Sequence, residues 1–363
     1  MKSIVFITNS LGFGGAEKML VFVAGQLADR GFDCSIINLN NVNEYINQHR
    51  QVVNDKVRVY DIEKPNDANI RKYHIKKINE ISKTVKADVI IGFTGFPNFY
   101  AKIVSRQLRI PSIMSERGDP YRTFSKTIKS QLIRVVVNRS KGGVFQTDGA
   151  RRFYGRGLQK RGIVIPNPIF IKGKIPDIKY EDREKSVVSV GRLDNYQKRY
   201  DVMLDAFKLF SEKYPDYLLK LYGKGDNEEQ IKQWVVEKGL GDKVKFMGLT
   251  TQPMQDIAKD GMFLITSDFE GISNSLLEAM AVGLPCVSTD HTPGGARLLI
   301  QDGENGLLAP IGDTKKLAEA MCKFAENSKL SIKCGEEAKQ VVERFAPDKI
   351  IDAWEEYIDK IVG

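Results

Sequence analysis

Cysteine and histidine are scarce in this 363-residue chain, and neither is clustered. Cys34, Cys286, Cys322 and Cys334 form no C-x-x-C pair, and His49, His74 and His291 lie far apart. Zinc centres and disulfide scaffolds need their ligands at short, repeated spacings, so this pattern excludes both and fits a reducing compartment. Long apolar runs are missing too. After Met1 and Lys2 the first run extends only from Ile4 to Ile7, too short for a signal-peptide core. No later stretch approaches the roughly 20 apolar residues of a membrane span. The expected protein is soluble or peripheral, and cytoplasmic. Low-complexity tracts and short repeats are also absent.

What is present is ordinary globular material, 42% hydrophobic and 28% charged, in a chain long enough for two cores. The net charge of +9 is unevenly placed. Residues 1–170 hold 28 Lys and Arg against 13 Asp and Glu, whereas the remainder holds 27 against 33. Much of the basic excess lies in Tyr121 to Ser140 and in Ala150 to Arg161. In the first of these, Leu132, Ile133, Val135, Val136 and Val137 make a partly apolar face, with Arg122, Lys126, Lys129, Arg134 and Arg139 around it. Such a helix suits an anionic membrane surface; the alternative is a core helix with a solvated basic side. The imbalance of the whole first half favours an anionic partner at a membrane. Nucleic acid is not expected, since no binding motif and no ladder of aromatics accompanies the charge.

Short apolar runs alternate with helical stretches throughout. SIVFIT, CSIINL, VRVYDI, ADVIIGFT, PSIMSE, GGVFQT and GIVIPN read as strands in the first half. SVVSVG, YLLKLYG, KVKFMG, GMFLIT, LPCVST and GLLAP follow in the second. Alternation of this kind predicts an α/β fold of parallel sheets covered by helices. The proline-bearing segment Ile165 to Lys185 interrupts it and is the candidate connection between two domains. Pro347 to Val362 has the spacing of a terminal amphipathic helix. The first turn, GFGGAE, is not the G-x-G-x-x-G fingerprint, and no acidic residue closes the second strand at INLNN, which argues against a nicotinamide enzyme. Gly14 and Gly15 suit either a tight turn or a close backbone approach to a ligand.

The most informative stretch is DFEGISNSLLEAMAVG, Asp268 to Gly283. The buried run Phe263 to Thr266 precedes it, and Asn274 to Ala281 carries apolar residues at helical spacing, with Ser273 or Asn274 as the capping residue. A helix start beyond a strand end can hold phosphate or sugar oxygens. Glu270 stands at the mouth of that turn and Glu278 just over two turns further on. They suit sugar hydroxyls and a ribose respectively, or both are solvated surface carboxylates.

With the glycine turn, SVVSVGRLDNYQKRYDVMLDAF, YLLKLYGKGDNEEQI and KVKFMGLT, the stretch EGISNSLLEAMAVGLPCVSTD resembles the signature of retaining, nucleotide-sugar-dependent GT-B glycosyltransferases of family 4 (glycosyl transferases group 1). These include bacterial polysaccharide and glycoconjugate assembly enzymes. The resemblance implies two Rossmann-like parallel-sheet domains facing a cleft: 1–168 for the acceptor, 169–346 for the nucleotide-sugar, and a helix at 347–363 returning to the first. It implies donor phosphates on Arg192 and Lys198, a nucleobase along Phe246 and the donor sugar on Glu270. The donor set is completed by Gly15, Gly191, Gly223, Gly271, Ile272, Ser273, Asn274, Ser275 and Glu278. Gly14, Glu17, Lys18, Glu116 and Arg117 form the acceptor set. Glu270, Arg192, Lys198 and Glu116 are the candidate catalytic residues.

The donor is expected to be a UDP-sugar and the acceptor a glycan or a polyprenyl-diphosphate-linked glycan, handled at the inner face of the cell membrane. No cofactor is expected, and the absence of Asp-x-Asp points to a metal-independent reaction. The sequence departs from the family pattern in one place, because no histidine stands at a strand end of the first domain. PSIMSE instead delivers SERGDP. Either Glu116 and Arg117 take the histidine's place beside a sugar, or they form a capping turn with a surface ion pair. Nucleotide-sugar epimerisation on the same fold, or a binding module without catalysis, are the alternatives; the latter would be marked by loss of Arg192, Lys198 or Glu270, and all three are present.

Overall fold

A computed structural model describes residues 1–12, 15–40, 52–62, 69–124, 127–171 and 173–363. The chain divides into two compact units, Met1–Asn167 with Asp348–Gly363, and Pro168–Pro347.

The first unit holds β1 (Ser3–Thr8), β2 (Asp33–Asn38), β3 (Arg58–Asp61), β4 (Val89–Phe93), β5 (Ser112–Glu116), β6 (Gly142–Phe145) and β7 (Ile163–Val164). They form one parallel sheet in the order β3-β2-β1-β4-β5-β6-β7. Both faces are covered, which is why the strands read as unbroken apolar runs. Along β1, Ile4 and Phe6 enter one core cluster and Val5 and Ile7 enter the other, as a period of two requires. The helix Pro347–Val362 completes the first of these clusters through Ile350, Ile351, Trp354 and Ile358. Trp354 is fully buried and stacks on Phe93 at 5.9 Å. Each fully buried apolar side chain of this size contributes on the order of 2–3 kcal/mol.

The second unit repeats the plan with β8 (Ser186–Val190), β9 (Leu218–Tyr222), β10 (Val244–Gly248), β11 (Met262–Ile265), β12 (Cys286–Thr289) and β13 (Leu307–Ala309). Its parallel sheet runs β10-β9-β8-β11-β12-β13. The thirteen apolar runs read from the sequence are these thirteen strands. The proline-bearing connection belongs to the second unit from Pro168 onward, where Ile169, Ile175 and Ile178 pack on its core.

Candidate functional site

In the second unit the C-terminal ends of β8 and β11 are stapled together by one short turn. β8 runs into Gly191 and Arg192, and Asp194 then caps the helix Asn195–Lys198 by accepting the Tyr196 N–H at 3.0 Å. Arg199 breaks that helix in the left-handed region, φ 55°, at a cost of about 1–2 kcal/mol for a residue with a Cβ. Ion pairs offset this cost: Arg199 Nη1 donates to both oxygens of Asp268 at 3.0 and 3.1 Å, and its Nε and Nη2 donate to Asp201. Thr266 Oγ1 donates to the carbonyls of Lys198 and Arg199 at 2.8 and 3.1 Å, and Gln197 Nε2 to that of Phe269 at 3.1 Å.

The staple aims Lys198 at Glu270. The ammonium contacts the carboxylate directly, with side chains only 16% and 7% exposed, and the Ser267 hydroxyl donates to the same oxygen. Burial pushes the Glu270 carboxyl up, but the Lys198 ammonium, His291 and the Ser267 hydroxyl outweigh it and hold it below its ordinary value. Arg192 is freer: its side chain is 66% exposed and pairs with Asp194 at 2.9 Å. Glu278 is half-buried on the helix Asn274–Ala281.

One glycine of the donor set has a backbone reason to be glycine. Gly223 sits at φ +141°, and a Cβ there would lie 1.8 Å from the Gly191 carbonyl oxygen. The ends of β8 and β9 therefore meet at a distance no other residue permits. Gly295, outside the donor set, is constrained in the same way, since a Cβ there would fall 1.6 Å from the Gly271 carbonyl oxygen. Ile272 is buried, and Ser273 occupies the N-cap position of the helix without capping it through its side chain. Its hydroxyl instead lies 3.1 Å from that of Ser275. The positive end of the helix thus lacks a side-chain cap beside Glu270, an environment suited to anionic oxygens. Phe246 packs against the core with Lys232 over its ring at 5.7 Å; the exposed apolar side chains beyond it are Met247 and Leu249.

The sequence reading missed His291. It stands two residues past β12, is 1% exposed, and neither ring nitrogen has a hydrogen-bond partner. Burial lowers its proton affinity, and the facing Glu270 raises it in part. The available signal is a histidine just beyond a strand end in STDHTPGG.

In the first unit SERGDP departs from the expected surface ion pair. Glu116 and Arg117 are 1% and 6% exposed, and they do not pair with each other. The Glu116 carboxylate accepts the Tyr154 hydroxyl at 2.6 Å and the Gly118 N–H at 3.2 Å, and burial pushes its pKa up. Arg117 donates to Ser115 Oγ and the Ile165 carbonyl, both at 2.9 Å, and its guanidinium lies over Phe93 and Trp354. Its proton affinity falls to about 9 through desolvation. The surface ion pair is therefore corrected to two buried groups with internal partners, and only the capping half of that reading stands, through Asp119 on the Tyr121 N–H at 2.9 Å. Gly15 opens the helix Gly15–Asp29, with Glu17 and Lys18 half-buried in its first turn. Burial raises the Glu17 pKa. Gly14 lies outside the described residues.

The basic helix is also rearranged. Ile128–Val137 buries Val137 and sets Ile133 on an aromatic cluster, and Arg134 lies over Phe153 at 5.0 Å. Ile128, Leu132 and Val135 point outward, 81%, 62% and 47% exposed. The single apolar face expected from the sequence is thus two faces, one in the core and one outside. Lys126 lies outside the described residues. Part of the charge in Ala150 to Arg161 is spoken for, since Arg151 and Arg152 both pair with Asp148.

Two family models match the chain: glycosyl transferases group 1 over residues 172–341 and glycosyl transferase 4-like over residues 16–146. An uncharacterized glycosyltransferase of Haemophilus influenzae is 25% identical over 98% of this chain and 99% of its own. The N-acetylgalactosamine-N,N'-diacetylbacillosaminyl-diphospho-undecaprenol 4-alpha-N-acetylgalactosaminyltransferase of Campylobacter jejuni is 25% identical over 96% and 97%. Among solved structures, Anabaena HepE in complex with UDP and glucose superposes with a TM-score of 0.82 at 20% identity, covering 99% of this chain and 100% of that one. The chain belongs to the GT-B glycosyltransferases of the group 1, family 4 kind.

Proposed function

We propose that the protein transfers a sugar, with retention at the anomeric carbon, from a UDP-sugar to a glycan or polyprenyl-diphosphate-linked glycan acceptor, without a metal. The observation that carries this reading is the Lys198–Glu270 contact at the joined ends of β8 and β11. It puts a cation for phosphate and a carboxylate for sugar hydroxyls side by side, with Arg192 one strand end away. The Campylobacter relative acts on a diphospho-undecaprenol acceptor by name and HepE was crystallised with UDP, which supports the choice of partners.

In the proposed reaction the bond from the anomeric carbon to the β-phosphate oxygen breaks as the acceptor hydroxyl bonds to that carbon on the same face. The hydroxyl proton passes to the departing phosphate, so no protein nucleophile is required. The protein's part is to stabilise the charge developing on the diphosphate, which Arg192, Lys198 and the start of the helix Asn274–Ala281 are suited to do. Gly14, Glu17 and Lys18 are the acceptor side of the proposal. The test is release of free nucleotide from a panel of nucleotide-sugars, with anomeric configuration read by NMR. UDP release above buffer from at least one UDP-sugar is expected, and silence across the panel defeats the proposal.

We further propose that the acceptor is met at the inner face of the cell membrane. Among the described residues no helix is long and apolar enough to cross a membrane, so the contact would be peripheral. Ile128, Leu132 and Val135 follow i, i+4, i+7 spacing and make one outward stripe beside the exposed Lys129 and Arg122. Apolar insertion and basic attraction then act together, each near-surface cation adding about 1 kcal/mol. Leu132→Ser with Val135→Ser and Lys129→Gln is expected to abolish co-sedimentation with phosphatidylglycerol vesicles and to leave UDP binding intact. Raising ionic strength from 0.1 M to 1 M shortens the Debye length from about 10 Å to about 3 Å and is expected to weaken the wild type. Wild-type protein that stays in the supernatant at low salt overturns the membrane reading.

A further inference from the structure

The first unit has a second concentration of chemistry, at the opposite end of its sheet from Glu116. Two cavities of about 450 and 390 Å³ open at the N-terminal ends of β5, β6 and β7, and they share Lys141 and Ile361. Taken together as one hollow, they have as lining cations Lys102, Arg139, Lys141, Lys160, Arg161 and Lys360. Among the described residues Glu356 is its one lining carboxylate.

Among the described residues, no carboxylate forms an ion pair with these cations. Arg161 donates to the carbonyls of Asn138 and Ser140 at 3.3 and 3.1 Å. Among the described residues, none of the other five has an ion-pair partner. Elsewhere in the same chain lysines commonly hold one or two carboxylates, as Lys220 and Lys232 do. Burial and then the like charges of Arg106, Arg139 and Arg161 lower the proton affinity of Lys102, which marks the cluster as mutually repelling.

The hollow is also built on rigid elements. Tyr357 lies buried in its wall, accepting the Gly143 N–H at 2.8 Å and donating to the Arg161 carbonyl at 2.6 Å. Its hydroxyl thereby ties the terminal helix to the starts of β6 and β7. Like charges fixed around a concavity and lacking internal counter-ions raise the local potential and favour an anion held at close range.

We propose that this hollow is a binding site for a diphosphate-sized, phosphate-bearing anion. Six cations around a few hundred Å³ suit several phosphate oxygens rather than one. The N-terminal strand ends lie away from the C-terminal ends where parallel sheets ordinarily bind substrates. The site lies within the first unit and does not depend on the reading of Lys198 and Glu270.

The experiment is a calorimetric titration of inorganic pyrophosphate into the full chain, at low ionic strength. It is repeated with Lys141→Gln/Lys160→Gln/Lys360→Gln and separately with Glu356→Gln. Any pyrophosphate bound in the second unit is common to all three proteins and cancels in the comparison, and an unchanged UDP isotherm shows that the variants are folded. The triple variant is expected to bind pyrophosphate at least about tenfold more weakly, and Glu356→Gln to bind it more tightly. Vesicles distinguish the source. A lipid headgroup as ligand makes phosphatidylglycerol vesicles retain the wild type better than the triple variant, with phosphatidylcholine retaining neither. A soluble phosphate compound as ligand shows the pyrophosphate difference alone. Identical pyrophosphate isotherms and identical vesicle retention in wild type and triple variant overturn the site.

Discussion

Lys198→Ala is expected to lower turnover by about 10²- to 10³-fold and to lower thermal stability as well, whereas Arg192→Ala is expected to lower turnover by about 10²-fold with stability intact. Both lose a cation placed where diphosphate charge develops, and loss of one such donor costs this much in turnover. Their surroundings separate them. Arg192 is 66% exposed and its carboxylate partner is reached by water, so its removal strands nothing. Lys198 faces a carboxylate only 7% exposed, and removing one member of a buried pair costs on the order of 3 kcal/mol because the other is left uncompensated.

The proof lies in the double variant. Lys198→Ala with Glu270→Gln places a neutral amide where the stranded charge would be, so the melting temperature is expected to recover while turnover does not. The pH dependence follows from the lowered Glu270 pKa. A carboxyl whose folded pKa lies below its unfolded value contributes fully above the ordinary carboxylate range and loses that contribution as pH falls through the folded value. Wild type is therefore expected to lose stability toward acid pH more steeply than the double variant. Near-normal nucleotide release by Lys198→Ala, or a double variant no more stable than the single, contradicts the assignment.

The thirteen strands were legible because a parallel sheet covered on both faces turns each strand into a short unbroken apolar run, a signal that needs no knowledge of partners. Arg192, Lys198 and Glu270 were singled out through the family resemblance; the ends of β8 and β11 mark the turns that carry them but assign no role. The failures share a different cause. Glu116 is buried by Tyr154, and Arg117 by Ile165 and Trp354, residues 38 to 237 positions away, so local spacing carried no trace of their burial. Ile128–Val137 has apolar residues on two sides, and periodicity cannot say which side finds a core. Ser273 is of the right type at the right place for a cap, yet its hydroxyl lies against Ser275. His291 escaped because its importance is its electrostatic influence on Glu270, twenty-one residues earlier in sequence.

Glu270 and Glu278 are expected to give opposite signatures when each is changed to glutamine. The Glu270 carboxylate contacts the Lys198 ammonium that a donor phosphate would need. Glu270→Gln removes that internal competitor, so free UDP is expected to bind as tightly as before or more tightly. Turnover is nonetheless expected to fall by about 10²-fold, since a charged acceptor for sugar hydroxyls has become a weaker neutral one. Discrimination among nucleotide-sugars is expected to narrow with it. Glu278 sits further along the helix Asn274–Ala281, half-buried and away from Lys198 in sequence, and is proposed to hold the ribose. Glu278→Gln is therefore expected to weaken UDP and UDP-sugar alike, by roughly tenfold for the loss of a charge-assisted hydrogen bond. Calorimetric titration of UDP into both variants, beside their steady-state kinetics, separates the two roles. Equal losses of UDP affinity leave both carboxylates on the nucleotide and remove the division between them, and a Glu270→Gln variant that binds UDP more weakly than wild type removes the competition for Lys198.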